Sequence, residues 1–230
     1  MIDALVFDKD GTLYDFSATF SDWAVKVLEQ FAPDAPAQQK AMADVLRFDL
    51  ATRAFHDDSP VIAGTNREVA GLLVPFLPAL SLSEIELQLI ESSAEAPLAE
   101  AVPLARFLDG LRGRGLGLAV MTNDGEAAAR AQLGRSGVAG RFDVILGADS
   151  GHGGKPDAAP LLAACAAMGV APQRSAMVGD STHDLIAGRA AGMCTIGVLT
   201  GMAPHEVLAP FADVVLPDIG HLPGWLDRSS

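Results

Sequence analysis

Six short apolar segments constrain the fold of this chain more than any other feature. Each has the length of a strand and ends in polar or glycine-rich residues, which is typical of buried parallel strands. Single helical patterns separate the later segments, and this alternation predicts a doubly wound parallel α/β sheet. The predicted strands are Ala4–Phe7, Leu116–Met121, Val144–Leu146, Ala176–Val178, Thr195–Leu199 and Val214–Leu216. The predicted helices between them are Pro103–Arg112, Glu126–Arg135, Ala158–Met168 and Leu185–Ala191.

One interval, from about residue 16 to residue 101, interrupts the alternation. It contains no convincing strand, and roughly 85 residues of helical pattern are too many for a crossover, which commonly has one helix. We therefore predict an inserted α-helical cap over residues 16–101, and an α/β core domain formed by residues 1–15 and 102–230. The helical segments of the cap are predicted around Ser21–Phe31, Pro36–Arg53, Thr65–Val74 and Ser83–Ser93.

The charge balance limits the partners of the chain. Its 230 residues include 16 Lys and Arg against 29 Asp and Glu, a formal net charge of −13. Because non-specific affinity for nucleic acid comes from basic side chains, we expect no nucleic-acid partner. The apolar stretches are shorter than the ~20 residues of a membrane span, and the first residues do not resemble a secretory signal. We therefore expect no membrane association and a cytoplasmic location, while the oligomeric state stays open.

Polar side chains follow four of the predicted strands, in one case after a glycine-rich loop that leads to Lys155. Because ligands of open parallel sheets bind outside the carboxyl ends of the strands, we expect these four loops to form one pocket. The loops have the sequences D-K-D-G-T, T-N-D, G-G-K-P-D and G-D-S-T-H-D, in chain order. The residues of interest in them are Asp8, Asp10, Thr122, Asn123, Lys155, Asp180 and Asp184.

The carboxylates of these loops predict a cation site. Asp8 and Asp10 are two residues apart, so both side chains point the same way on an extended segment. Crowded with Asp180, they repel one another unless a cation lies among them, and such an all-oxygen donor set suits Mg²⁺. Lys155, one of only four lysines in the chain, and Thr122 would supply the donors that a phosphoryl group needs.

The four motifs, in this order and at these strand ends, resemble those of the haloacid dehalogenase (HAD) superfamily, with a span from residue 8 to residue 184. The resemblance implies that Asp8 is a nucleophile that forms an aspartyl-phosphate and that Asp10 is the general acid and base. It also implies that Thr122 and Lys155 orient and neutralise the phosphoryl oxygens. The Mg²⁺ ligands that it implies are Asp8, the backbone carbonyl of Asp10, Asp180 and Asp184.

Within this superfamily, the carboxylate of Asp10 favours a phosphatase, because the hydrolytic dehalogenases lack it. The helical cap resembles that of the phosphoglycolate phosphatase-like branch, which implies a small soluble phosphomonoester as the substrate. A phosphomutase similar to β-phosphoglucomutase is the nearest alternative, although Thr12 tilts the prediction toward hydrolysis. A phosphoacceptor signalling or binding module is a further alternative, which the early position of Asp8 and the size of the cap disfavour.

Asn123 and the cap residue Arg53 are the candidate substrate-binding residues. A carboxylate on the substrate would favour an arginine partner, which also makes Arg67 a candidate. His56 and Asn66 lie in the same segment of the cap, which is rich in helix-breaking residues.

Residues of the core loops also have purely structural alternatives, such as strand-end caps for Asp8 and Asp10 and a turn for Asn123. Asp184 is well placed to cap the helix that follows it, and the hydroxyl of Thr122 is well placed to bind backbone at the strand end. Asp124 is expected to form a turn, and His183 is expected to be a solvated loop residue.

Overall fold

The centre of the molecule is a six-stranded parallel sheet. The computed structural model describes residues 2–228, in which the strands are β1 (Ala4–Phe7), β2 (Phe48–Asp49), β3 (Ala54–Phe55), β4 (Gly117–Met121), β5 (Val144–Leu146), β6 (Ser175–Gly179), β7 (Cys194–Val198) and β8 (Val214–Leu216). The sheet has the order β5-β4-β1-β6-β7-β8, and every neighbouring pair is parallel. From the central strand β1, the sheet continues through β4 to β5 on one side and through β6 and β7 to β8 on the other. This reversal of the strand order opens a crevice at the carboxyl ends of the central strands.

Helices cover both faces of the sheet, because successive residues of each strand point to opposite sides. Leu5 and Phe7 of β1 pack against apolar residues of the helices at 104–112, 126–135 and 222–228. Val6 packs on the other face, against the helices at 159–168 and 182–190. The predicted doubly wound parallel α/β fold is confirmed.

The helices are α1 (Phe16–Phe31), α2 (Pro36–Val45), α3 (Pro60–Ala63), α4 (Asn66–Leu73), α5 (Leu82–Ala94), α6 (Leu104–Arg112), α7 (Glu126–Arg135), α8 (Ala159–Met168), α9 (Thr182–Ala190), α10 (His205–Leu208) and α11 (Leu222–Arg228). Short 3₁₀ helices span Val74–Phe76, Ala139–Arg141, Pro172–Arg174 and Ile219–His221. Between residues 2 and 228, no helix combines the length and the apolar composition needed to cross a membrane.

All six predicted strands of the sheet form, and their bounds differ from the prediction by at most one residue at either end. Helix α7 has the predicted bounds, but α9 begins at Thr182 rather than at Leu185. The earlier start has a local cause, because Ser181 caps the helix by accepting a hydrogen bond from the backbone N–H of Asp184.

Helices α1 to α5 lie between β1 and β4 and pack around an apolar cluster of their own, which includes Phe20, Leu28, Met42, Leu73 and Leu89. Capping boxes begin two of these helices, α4 and α5, and proline is the first residue of α2 and α3. The inserted segment therefore has its own core. The domain division at residues 15 and 102 stays a prediction.

The prediction of one helix over Pro36–Arg53, in an interval without strands, is wrong. Helix α2 ends at Val45, Arg47 has a positive φ of 55°, and β2 and β3 then form a short antiparallel hairpin. Phe48 and Phe55 face each other across this hairpin, with their ring centroids 4.7 Å apart. Their burial against the cap cluster stabilises the hairpin, and the helical periodicity of the sequence did not reveal this pairing.

Candidate active site

The four predicted loops meet at the carboxyl ends of β1, β4, β5 and β6, where they line a cavity of about 50 Å³. Helices α1, α3, α4 and α5 contribute the other wall of this cavity. The structure brings together every core residue that the motifs singled out, namely Asp8, Asp10, Thr122, Asn123, Lys155, Asp180 and Asp184. Their catalytic and metal-binding roles stay predictions.

Lys155 is the cation at the centre of the cavity. Its Nζ lies 2.5 Å from Asp8 Oδ1 and 2.6 Å from Asp184 Oδ1, and only 3% of its side chain is exposed. Burial alone would lower the pKa of Lys155, but the negative charges of Asp184 and Asp8 outweigh burial and raise that pKa above its ordinary value. Lys155 is therefore positively charged at neutral pH.

Asp8, Asp180 and Asp184 form a buried carboxylate cluster in which one oxygen of each lies within 4.8 Å of the others. Burial raises the pKa of Asp8 to about 7; the charge of Lys155 opposes this shift and that of Asp184 adds to it. Burial and the charges of Asp8 and Asp184 also hold the pKa of Asp180 well above its ordinary value. Crowded, desolvated oxygen donors of this kind fit a hard divalent cation such as Mg²⁺, whose charge offsets their repulsion.

The two carboxylate oxygens of Asp184 have different surroundings. Oδ2 accepts hydrogen bonds from the backbone N–H of Ser181 at 3.0 Å and from its hydroxyl at 2.7 Å, which completes the cap of α9. Oδ1 faces Lys155. Asp184 therefore does not cap a helix that follows it, as the sequence suggested; it is the third residue of α9 and completes the capping box of Ser181, which leaves its other oxygen in the carboxylate cluster.

Thr122 and Asn123 end β4 and extend the wall of the cavity. The backbone N–H of Asp124 donates to Thr122 Oγ1 at 3.1 Å, a bond that leaves the hydroxyl hydrogen of Thr122 unused. Asn123 accepts from the backbone N–H of Lys155 at 2.8 Å and donates to the carbonyls of Lys155 and Ala63. Asn123 therefore joins the Lys155 loop to the inserted segment, and its predicted contact with substrate stays a prediction.

The structure does not bring Arg53 to the cavity. Its guanidinium lies 2.8 Å from Asp22 at the surface, with 53% of the side chain exposed. Arg67 is likewise paired outward, with Glu86, at 2.9 Å. The nearby segment does face the site, since Val61, Ile62 and Asn66 line the cavity. The predicted stretch of the cap was therefore informative, but its charged side chains point to solvent, where their hydration is retained.

Lys9 is a site residue that the sequence analysis missed. It is fully buried, and its Nζ lies 2.7 Å from Asp10 Oδ2 and 3.3 Å from Asp124 Oδ2. It also donates a short hydrogen bond to Gln132 of α7, whose amide in turn donates to the backbone carbonyl of Ser93 on α5. A lysine side chain thus fixes Asp10 and connects the first loop to the inserted helices.

Asp124 completes this connection and is more than the turn former that the sequence predicted. Its carboxylate accepts from the side chains of Asn66 at 2.7 Å and Ser93 at 3.2 Å, both on inserted helices. Burial by itself lowers the pKa of Lys9, but Asp10 and Asp124 outweigh burial and raise it. The only signal for this network in the sequence was a lysine placed between two motif carboxylates.

Gly11 lies in close contact with the carboxylate of Asp180. Its φ is +80°, and a Cβ added there would overlap the carboxylate of Asp180. Gly115 has nearly the same φ of +78°, but an added Cβ would meet no atom within 4 Å. Both alanine variants therefore carry the same backbone strain, and only one displaces a predicted metal ligand.

We expect Gly11→Ala to weaken Mg²⁺ binding by about 10–100-fold, because Asp180 must move, while Gly115→Ala leaves the affinity unchanged. Isothermal titration calorimetry of the two folded variants makes the comparison. Equal Mg²⁺ affinities would show that the position of Asp180 does not matter for the cation.

Replacement of Lys9 by methionine tests the buried charge network. Lys9→Met leaves Asp10 and Asp124 without their buried cation and should lower the free energy of unfolding by about 3–5 kcal/mol. The control is Lys40→Met, which removes a lysine whose side chain is 70% exposed in a surface pair and should change stability by about 0.5 kcal/mol or less. Urea unfolding measures both, and similar values would contradict the role of Lys9.

The raised pKa of Asp8 predicts how the stability of the metal-free protein depends on pH. Asp8 has a pKa of about 7 in the folded protein and an ordinary value of 3.8, so the folded state retains its proton over a range in which the unfolded state has lost it. Its stabilising contribution is complete below about pH 4 and is lost as the pH rises through about 7. In EDTA, the wild type should therefore lose stability relative to Asp8→Asn between pH 4 and 7, in urea unfolding. If the stabilities of the wild type and Asp8→Asn changed with pH in the same way, the raised pKa of Asp8 would be contradicted.

Comparison with known proteins identifies the family of the chain. The sequence model described as haloacid dehalogenase-like hydrolase matches residues 2–192. A phosphoglycolate phosphatase of Rhodospirillum rubrum is 32% identical over 235 residues, which cover 97% of this chain and 90% of that protein. A phosphoglycolate phosphatase of Neisseria meningitidis is 40% identical over 115 residues, but the match spans only about half of either protein, 49% of this chain and 48% of the relative.

The fold also matches a solved structure over nearly its whole length. The crystal structure of a predicted phosphoglycolate phosphatase from Haemophilus somnus superimposes with a TM-score of 0.70 and covers 98% of both chains. Its sequence identity is 21%, so this likeness concerns the fold alone. The sequence match over residues 2–192 and the full-length similarity to the Rhodospirillum rubrum protein settle the family. This chain belongs to the haloacid dehalogenase-like hydrolase family.

Proposed function

We propose that this chain is a Mg²⁺-dependent phosphatase that hydrolyses a small phosphomonoester through an aspartyl-phosphate formed on Asp8. The observation that carries the proposal is the buried position of Asp8, which shares one cavity with the ammonium of Lys155 and the carboxylates of Asp180 and Asp184. This arrangement combines a nucleophile, a permanent cation and an oxygen-donor site for a divalent ion. The phosphoglycolate phosphatases among the relatives support the same chemistry.

The proposed reaction has two displacements at phosphorus. In the first, a carboxylate oxygen of Asp8 forms a bond to phosphorus while the bond to the leaving oxygen breaks, and Asp10 donates a proton to that oxygen. In the second, a water molecule transfers a proton to Asp10 and its oxygen bonds to phosphorus. The bond between phosphorus and Asp8 then breaks, which releases inorganic phosphate and restores both carboxyl groups.

The remaining residues bind and orient the phosphoryl group. Lys155 would neutralise its negative charge, and the free hydroxyl hydrogen of Thr122 would donate to a second oxygen. Asp8, Asp180, Asp184 and the backbone carbonyl of Asp10 would hold Mg²⁺, which supplies further positive charge for the phosphoryl oxygens. The cation also favours the ionised form of Asp8, whose pKa of about 7 would otherwise leave half of it protonated near neutrality.

The function is tested by phosphate release from a panel of esters, with and without Mg²⁺. The panel contains phosphoglycolate, sugar phosphates, nucleoside monophosphates and an aryl phosphate. We expect release that requires Mg²⁺ and that falls by at least about 10³-fold in Asp8→Asn, because the nucleophile is lost. The matched control is Asp44→Asn, which removes a surface carboxylate paired with Lys40 and should leave the rate unchanged.

Three results would contradict the proposal. An unchanged rate of phosphate release in Asp8→Asn would exclude an aspartyl-phosphate on Asp8. Equal phosphate release without Mg²⁺ would exclude a requirement for the cation. No release from any ester, with the phosphoryl group transferred instead between hydroxyls of a sugar phosphate, would identify a phosphomutase.

A further inference from the structure

The two walls of the cavity differ in charge. Among the described lining residues, those from the inserted helices carry no charge, and the apolar ones are Phe16, Phe20, Trp23, Val61, Ile62, Ala63 and Val69. The charged lining residues all come from the core loops and are Asp8, Asp10, Asp124, Lys155, Asp180 and Asp184. A substrate whose phosphoryl group reaches Asp8 therefore extends its leaving group toward a hydrocarbon wall.

The polar groups of the apolar wall already have partners within the protein. The indole N–H of Trp23 donates to Ser92 Oγ at 3.0 Å. The side-chain amide of Asn66 and the hydroxyl of Ser93 both donate to Asp124, at 2.7 and 3.2 Å. Trp23 thus joins two inserted helices to each other, while Asn66 and Ser93 hold the inserted helices on the core. These side-chain donors are therefore already used and do not serve a polar leaving group.

The basic residues of the inserted segment that form ion pairs do so away from the cavity. Arg47 pairs with Asp58, and its side chain is half exposed. Arg53 and Arg67 pair with acidic residues at the surface, and Lys26 is exposed. None of these residues is among those that line the cavity. Two basic side chains do line the cavity, and both belong to the core. Lys155 is already bound by Asp8 and Asp184. His183, which the sequence predicted to be a solvated loop residue, is half-buried on α9 and not on the apolar wall.

A second negative charge on the substrate would therefore meet no cation on the wall formed by the inserted helices. It would lie in a cavity with five carboxylates and one ammonium, and the cation of Lys9 is directed to Asp10 and Asp124. Burial of an unpaired carboxylate is strongly unfavourable, whereas burial of hydrocarbon against aromatic and aliphatic side chains is favourable. The wall thus discriminates against anionic leaving groups and in favour of apolar ones.

We propose that the substrate is the phosphomonoester of a small, uncharged and mainly hydrocarbon alcohol, and that phosphoglycolate is a poor substrate of this enzyme. The inference rests on the proposed phosphatase function and adds the chemistry of the leaving group. The small volume of the cavity, about 50 Å³, is the reason for expecting a small alcohol.

The experiment compares three esters of similar size. Phosphoglycolate has a carboxylate beyond its methylene, phosphoglycolamide has a neutral polar amide there, and isobutyl phosphate has two methyl groups. We expect kcat/KM for isobutyl phosphate to exceed that for phosphoglycolate by at least about tenfold, with phosphoglycolamide between them. Binding of the same esters to Asp8→Asn in Mg²⁺, by calorimetry, should show the same order without turnover.

Placement of a cation on the apolar wall should relax this selectivity. Val61→Arg introduces a guanidinium that can pair with a substrate carboxylate, and it should lower the preference for isobutyl phosphate by at least about fivefold. The control is Leu87→Arg, at a position on α5 that is 54% exposed and away from the cavity, which should leave the preference unchanged.

The outcomes separate this inference from the proposed function. A wild-type preference for phosphoglycolate, in turnover or in binding, overturns the inference and leaves the phosphatase proposal standing. No Mg²⁺-dependent release from any ester, an aryl phosphate included, overturns both. The same selectivity in Val61→Arg and Leu87→Arg overturns the role of the apolar wall.

Discussion

The structure depends above all on the balance of charge in one buried cavity. Five carboxylates meet there, and the positive charges beside them are the ammonium groups of Lys155 and Lys9. Each lysine holds two carboxylates, Lys155 those of Asp8 and Asp184 and Lys9 those of Asp10 and Asp124. Asp180 is left without a lysine partner, and its pKa is raised by burial and by its acidic neighbours. The two lysines therefore offset the repulsion among the carboxylates only in part. A divalent ion bound among them would offset the remainder.

The sheet determines which carboxylates meet. Parallel strands all end at one edge, and the reversal between β1 and β6 places the first and fourth motif loops side by side at that edge. The Gly11 backbone can then approach Asp180 so closely that a side chain would not fit. A chain with the same loops on an antiparallel sheet would place alternate loops at opposite edges and would separate the charges that the site brings together.

The core of the molecule could be predicted from the sequence because its determinants are local. Buried strands appear as short apolar runs, and the catalytic candidates lie in the loops that follow them along the chain, so the expected loops and the observed lining agree. The hairpin between Phe48 and Phe55 escaped prediction because two-residue strands leave no periodicity. The position of Arg53 escaped it because the pairing with Asp22, 31 residues away, depends on how the inserted helices pack. The Lys9 network spans still more of the chain, since Lys9 and Gln132 are 123 residues apart.

These long-range contacts explain how two walls of different chemistry can form one site. The inserted helices contribute hydrocarbon, which excludes water and lowers the local dielectric constant around the charged loops. A lower dielectric strengthens both the attraction of Lys155 for its carboxylates and the repulsion among those carboxylates. The same helices are held on the core by hydrogen bonds to Asp124, which also binds Lys9. Asp124 therefore links the inserted helices to Lys9, the lysine that holds Asp10. The position of the inserted helices and the geometry of the first loop thus depend on each other.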